Sequence, residues 1–284
     1  MFRTVPQRAV LATGLVGAAF LVPTAGPAAA APERSITIAK NFHATFGGGT
    51  TARISTHGNV VDYLSPDSPL AGRYEHIGVG DIGEGYVLCY TGPAGTVRAW
   101  DTGVSESGFG PATTTAQTAK SITISRQTND GRLTLVQLIT FNGTNRSVLI
   151  KMTLRNNTAS PVPNVVLRRQ VDFDVDTGGA DGWAGFQSWH ATTTRTTSFA
   201  WSEPAAAPGD KDAHAMQLKF MGASSTGLAH NAYTTTQILD NTCEADSRRP
   251  GVPAFGDFGD TQLLRIGTVP SNGSQFATVE YSRF

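Results

Sequence analysis

From residue 35 onward, apolar residues recur chiefly at every second position rather than every third or fourth. In Ser121–Gln127 (SITISRQ) the isoleucines alternate with Ser and Thr, and in Ser147–Asn156 (SVLIKMTLRN) Val, Ile, Met and Leu share one parity. A period of two puts one set of side chains on one face, as in a half-buried strand. The same character predicts strands near Ser35–Ala39, Ala52–Thr56, Asn59–Leu64, Tyr86–Tyr90, Thr96–Asp101, Leu133–Asn142 and Asn164–Asp176. Further strands are predicted near Thr196–Trp201, Ala215–Phe220, Leu263–Gly267 and Phe276–Phe284. His57-Gly58, Asp130-Gly131 and Asn142-Gly143 supply hairpin-turn chemistry between them, because Gly takes positive φ without strain. The best helix candidate is Tyr233–Asp240, and it contains Thr234, Thr235 and Thr236, poor residues for a helix interior. The pattern predicts an all-β chain with little helix, built as a large antiparallel β-sandwich.

The first 30 residues break the pattern. Arg3 and Arg8 precede an apolar run from Ala9 to Val22, Pro23 and Pro27 follow, and Ala28-Ala29-Ala30 offers small residues for cleavage. This is the layout of a secretory signal peptide. The run is shorter than the roughly 20 residues of a membrane span. Residues 31–284 are then read as a single sandwich domain, with the Ala- and Pro-rich Ser202–Asp212 as a long surface loop. Export makes pairing of Cys89 with Cys243 the expected state, since thiols oxidise outside the cytosol.

Composition sharpens this picture. Charged residues are 15% of the 284, with 22 basic and 22 acidic. An apolar fraction of 39% is ample for a core, so the missing charge is replaced by uncharged polar residues, Thr above all. Thr is β-branched and suits the pleated surface. The balanced charge argues against a nucleic-acid partner, which needs a basic face.

Three stretches resemble the large antiparallel sandwich domains of the galactose-mutarotase-like class (supersandwiches) that accompany carbohydrate-active proteins. They are Ile54–Pro66 (ISTHGNVVDYLSP), Met152–Asp176 (MTLRNNTASPVPNVVLRRQVDFDVD) and the terminal ATVEYSRF. The resemblance is one of strands and turns, and it carries no catalytic motif onto particular residues. It implies a supersandwich-like fold; a shared fold leaves function open.

Three segments could carry chemistry. Asp172, Asp174 and Asp176 alternate along one strand face, with Asp181 beyond. Carboxylates so spaced repel one another, and a calcium ion would relieve that repulsion. Gly182–His190 places Trp183, Phe186, Trp189 and His190 just downstream, and rings beside polar groups suit the half-apolar face of a sugar. Tyr74–Tyr86 holds Glu75, Asp81 and Glu84 among four glycines, and paired carboxylates can cleave glycosidic bonds at defined separations. His43, His57, His76, His190, His214 and His230 are scattered, so a zinc or copper site would have to be assembled by the fold.

Together these features predict a secreted protein that recognises carbohydrate, as a free glycan or a cell-surface polymer. Two other readings stay open: a glycan-acting enzyme using paired carboxylates, and a structural or interaction protein of the cell surface with no small ligand.

Overall fold

The computed structural model describes residues 42–45, 51–65, 74–75, 77, 83–103, 105–142, 147–173, 197–201, 215–225, 228–235, 241–244 and 259–283. Regular structure among them is strand throughout. In chain order the strands are β1 (Phe42–Thr45), β2 (Thr51–Ile54), β3 (Val60–Ser65), β4 (Tyr74–Glu75), β5 (Glu84–Gly92), β6 (Gly95–Asp101), β7 (Glu106–Ser107), β8 (Thr113–Gln117) and β9 (Ser121–Gln127). They continue as β10 (Leu133–Asn142), β11 (Ser147–Asn156), β12 (Val162–Asp172), β13 (Thr197–Trp201), β14 (Ala215–Ala223), β15 (Ala229–Thr235), β16 (Gly259–Val269) and β17 (Ser274–Arg283).

Two large antiparallel sheets face each other. One has seven strands in the order β13-β14-β17-β11-β10-β9-β8, the other six in the order β15-β16-β12-β5-β6-β7. A four-stranded sheet, β1-β2-β3-β4, accompanies them. The seven-stranded sheet shows the alternation expected from its sequence: Ile150, Met152 and Leu154 of β11 are buried, and Lys151 and Thr153 between them are not. Their faces meet Leu88, Leu167 and Leu264 of the six-stranded sheet in one core.

The central strands of the six-stranded sheet, β16, β12 and β5, are buried on both faces over long stretches. Seven consecutive residues of β5, Glu84–Tyr90, are buried, as are Leu167–Val171 of β12 and Gly259–Leu264 of β16. On the face away from the core, Cys89 is bonded to Cys243, which holds residues 241–244 there across 154 positions of sequence. Arg168, on the same face of β12, donates to the Thr242 carbonyl at 3.1 Å.

Most predicted strands are present, and β9, β10 and β11 have the predicted bounds. The helix candidate is corrected: Tyr233, Thr234 and Thr235 lie in β15 and pair with Thr261, Asp260 and Gly259 of β16. The threonines that weaken a helix favour that pairing. Strand β8, TTTAQ, has no apolar parity to reveal it, because all its residues are exposed. The predicted strand at Ser35–Ala39 lies outside the described residues.

Closing so long a loop is worth on the order of 5 kcal/mol in a chain-entropy account, with measured values mostly 2–5. Replacing Cys89 and Cys243 together by Ser is therefore expected to lower the unfolding free energy by about 2–5 kcal/mol. Urea denaturation of the double variant checks this, and an unchanged midpoint would contradict it.

Candidate functional site

The hairpin between β2 and β3 turns at Ser55–Asn59. The Ser55 hydroxyl donates to the Asn59 side-chain oxygen at 2.9 Å and accepts from the Asn59 amide at 3.1 Å. Gly58 has φ +92°, and a Cβ there would overlap the Gln137 side-chain amide. Glycine is required on both counts.

This turn sits against buried ionic groups. Glu84 of β5 and Arg169 of β12 form a wholly buried ion pair through Oε1 and Nε. Tyr281 of β17 donates to the same carboxylate oxygen at 2.6 Å, and the Val60 amide donates to the other at 2.9 Å. The remaining guanidinium nitrogens of Arg169 donate to the Gln137 side-chain oxygen at 2.6 Å and the Gly58 carbonyl at 2.9 Å. Burial pushes the Glu84 carboxyl upward in pKa, opposed by Arg169, Tyr281 and Val60. Arg169 stays a cation, with Glu84 offsetting the burial that would lower it.

A second cluster adjoins the first. Asp101 and Glu106 are cross-strand partners on β6 and β7. Like charges directly opposite one another destabilise a sheet. Arg126 of β9 relieves this by donating to Asp101 Oδ2 and Glu106 Oε2, each at 2.6 Å. Its other N–H groups go to the Tyr86 hydroxyl and the Gly110 carbonyl, so the fork is fully used. His57 Nδ1 lies 2.8 Å from Asp101 Oδ2 and 3.3 Å from Glu106 Oε2. Asp101 is nearly buried, whereas the His57 and Glu106 side chains are 32% and 33% exposed. Burial alone would raise the Asp101 pKa, but His57, the Gly103 amide and Arg126 together hold it below the ordinary value. Tyr86 links the clusters: its hydroxyl donates to the His57 carbonyl at 2.9 Å, accepts from Arg126, and its ring lies under Arg169.

On the other face of β9 is a polar groove of about 510 Å³. Gly110, Pro111, Thr113, Ser125, Gln127, Thr128, Asn129 and Thr134 line it, and none is ionisable.

Of the sequence candidates, Glu84 is in the core, committed to Arg169, Tyr281 and Val60 rather than facing a cleft. Glu75 is in β4, paired with Leu64. Asp172 ends β12, paired with Gly259. Asp81, Asp174, Asp176, Asp181, Trp183, Phe186, Trp189 and His190 lie outside the described residues. The His57–Asp101–Glu106 grouping escaped the sequence reading. Asp101 and Glu106 could have been matched across the Thr102-Gly103 turn, but His57 and Arg126 join them only through the fold.

No protein-family model matches the chain, and no curated protein matches it in sequence. Among solved structures, a bacterial glucoamylase complexed with acarbose aligns over 86% of this chain and 32% of its own, at 9% identity and TM-score 0.49. A galactose mutarotase related enzyme from Lactobacillus acidophilus aligns over 86% of this chain and 97% of its own, at 8% identity and TM-score 0.43. An α-N-acetylgalactosaminidase from Bifidobacterium bifidum, in complex with GalNAc, aligns over 85% of this chain and 35% of its own, at 10% identity and TM-score 0.45. The chain thus spans about a third of the glucoamylase and of the acetylgalactosaminidase. These neighbours include the mutarotase-like kind that the three sequence stretches resemble.

Replacing Arg169 by Met strands a buried carboxylate and is expected to cost about 3–5 kcal/mol. A loss below about 1 kcal/mol in urea denaturation, the scale of an ordinary hydrogen bond, would contradict the pairing. Asp101 binds its proton less tightly folded than unfolded. It therefore adds stability above its ordinary pKa of 3.8, and that contribution is lost as pH falls through the lower folded value. The stability gap between wild type and Asp101→Asn should accordingly narrow below pH 3.8. A gap that widens on acidification would reverse the assignment.

Proposed function

We propose that the chain is an exported protein that recognises carbohydrate, with residues 1–30 as its signal peptide and 31–284 as its mature domain. The observation that carries the ligand class is the groove on β8, β9 and β10. Its polar side chains are hydroxyls and amides, and none carries charge. Such groups match the donors and acceptors of a neutral polyol, while a charged ligand would leave its charge without a partner. The volume is within the range of small-molecule sites. The Cys89–Cys243 bond supports export, since disulfides persist in oxidising compartments.

The end of β12 and the segment that follows it are proposed as a second carbohydrate contact in their own right, with Trp183, Phe186, Trp189 and His190 for the apolar face of a sugar and Asp172, Asp174, Asp176 and Asp181 for hydrogen bonding or a calcium ion. In the groove, the Thr128 hydroxyl is occupied by Tyr90, Asp130 and Leu133, the Thr134 hydroxyl by Asn157, and the Gln127 amide NH2 donates to the Gly131 carbonyl, which leaves Thr113, Ser125, Asn129 and the Gln127 side-chain oxygen as the groove's contacts.

A glycan array followed by titration of the intrinsic Trp fluorescence tests the reading. A soluble glycan is expected to bind and to shift the emission. Gln127→Ala should weaken binding by about 2- to 10-fold, the loss of one or two hydrogen bonds. Failure of every glycan to bind would remove the proposal; unchanged affinity in Gln127→Ala would remove the groove from it.

A further inference from the structure

The His57–Asp101–Glu106 grouping is independent of that reading. Its ligand atoms, one imidazole nitrogen and two carboxylate oxygens, lie within 4.8 Å of one another. The three residues come from the β2–β3 turn, the end of β6 and the start of β7. Two of them are about one-third exposed, which gives an ion a route from solvent.

We infer that His57, Asp101 and Glu106 form a binding site for a zinc-type divalent cation. The donor set decides the class. Calcium takes six to eight oxygens, whereas one nitrogen and two carboxylates suit zinc and its neighbours. With zinc–ligand bonds of 2.0–2.1 Å, tetrahedral ligands stand about 3.3 Å apart. His57 Nδ1 and Glu106 Oε2 are 3.3 Å apart, and His57 Nδ1 and Asp101 Oδ2, at 2.8 Å, need to open only slightly.

The support behind the ligands is in place. Asp101 Oδ1 accepts from the Gly103 amide at 2.9 Å and the Asn59 side chain at 3.2 Å, which fixes the carboxylate plane. The His57 carbonyl is held by Tyr86 and by Gln137, at 2.9 and 3.0 Å, which anchors the imidazole's backbone. Outer hydrogen bonds of this kind orient metal ligands. Arg126 bonds both coordinating oxygens. It keeps the two carboxylates together before an ion arrives, and its charge weakens the ion's attraction. Three protein ligands leave one vertex of a tetrahedron for water or a ligand oxygen.

The test uses the full chain after dialysis against chelator. Addition of Co2+ is expected to give the visible absorption of a low-coordinate site, saturating at one ion per chain and displaced by Zn2+. Zinc at about a hundred times its Kd should raise Tm by about 5 °C or more. His57→Ala and Glu106→Ala, with near-UV circular dichroism confirming the fold, should each abolish both signals. Absence of any Co2+ absorption in the wild-type chain would overturn the site. So would absorption that persists unchanged in both variants, which would place the ion on other histidines. Because glycan binding is read separately, either proposal can fail while the other stands.

Discussion

Arg169 is the residue around which the rest must be arranged. A guanidinium remains charged in the interior, so a wholly buried arginine needs a partner for its charge and acceptors for its N–H groups. Here Glu84 comes from the neighbouring strand of the same sheet, Gln137 from the facing sheet and the Gly58 carbonyl from the β2–β3 turn. Tyr281, also from the facing sheet, completes the shell of Glu84. One charge thus ties together residues from all three sheets. Such a pair contributes little net stability against a hydrophobic replacement. What it supplies here is alignment: only one register of β5 against β12 and one placement of the hairpin satisfy every group.

The second cluster follows from the first. The hydrogen bonds that seat the turn bring His57 to the cross-strand carboxylates of β6 and β7. Arg126 prevents their repulsion, as Arg169 compensates Glu84. The gradient of burial then separates roles. The Arg169 cluster is closed to solvent, while His57 and Glu106 are open enough to meet a ligand. Outside, β9 presents Ser125 and Gln127 to the uncharged groove, so one strand serves the ionic interior and a neutral surface by parity alone.

The fold was largely legible because strand parity is local. Residues 121–127, 133–142 and 147–156 declare their faces within a few positions, and β-branched residues reinforce them. The cysteine pair was legible from compartment logic. Strand β8 was not, because a strand exposed at every position has no apolar phase. The site was less legible for the same physical reason. Glu84 looked like one acid in a glycine-rich loop, although its partner Arg169 is 85 residues away. Gln137, a polar residue at an apolar parity of β10, was the strongest local hint of a buried polar network. His57 and Arg126 reach Asp101 only through strand order, which no short-range pattern encodes.

The Arg169 network locks the β2–β3 hairpin into the core. Amide hydrogen exchange at Val60, whose N–H is bonded to the buried Glu84 carboxylate, reads this most directly. The Val60 amide is predicted to exchange only on global unfolding, with protection equal to that of Ile150 and Met152 in β11. Exchange at Val60 by a much lower-energy opening, with β11 still protected, would show that the hairpin is merely laid on the sheets and not locked by Arg169.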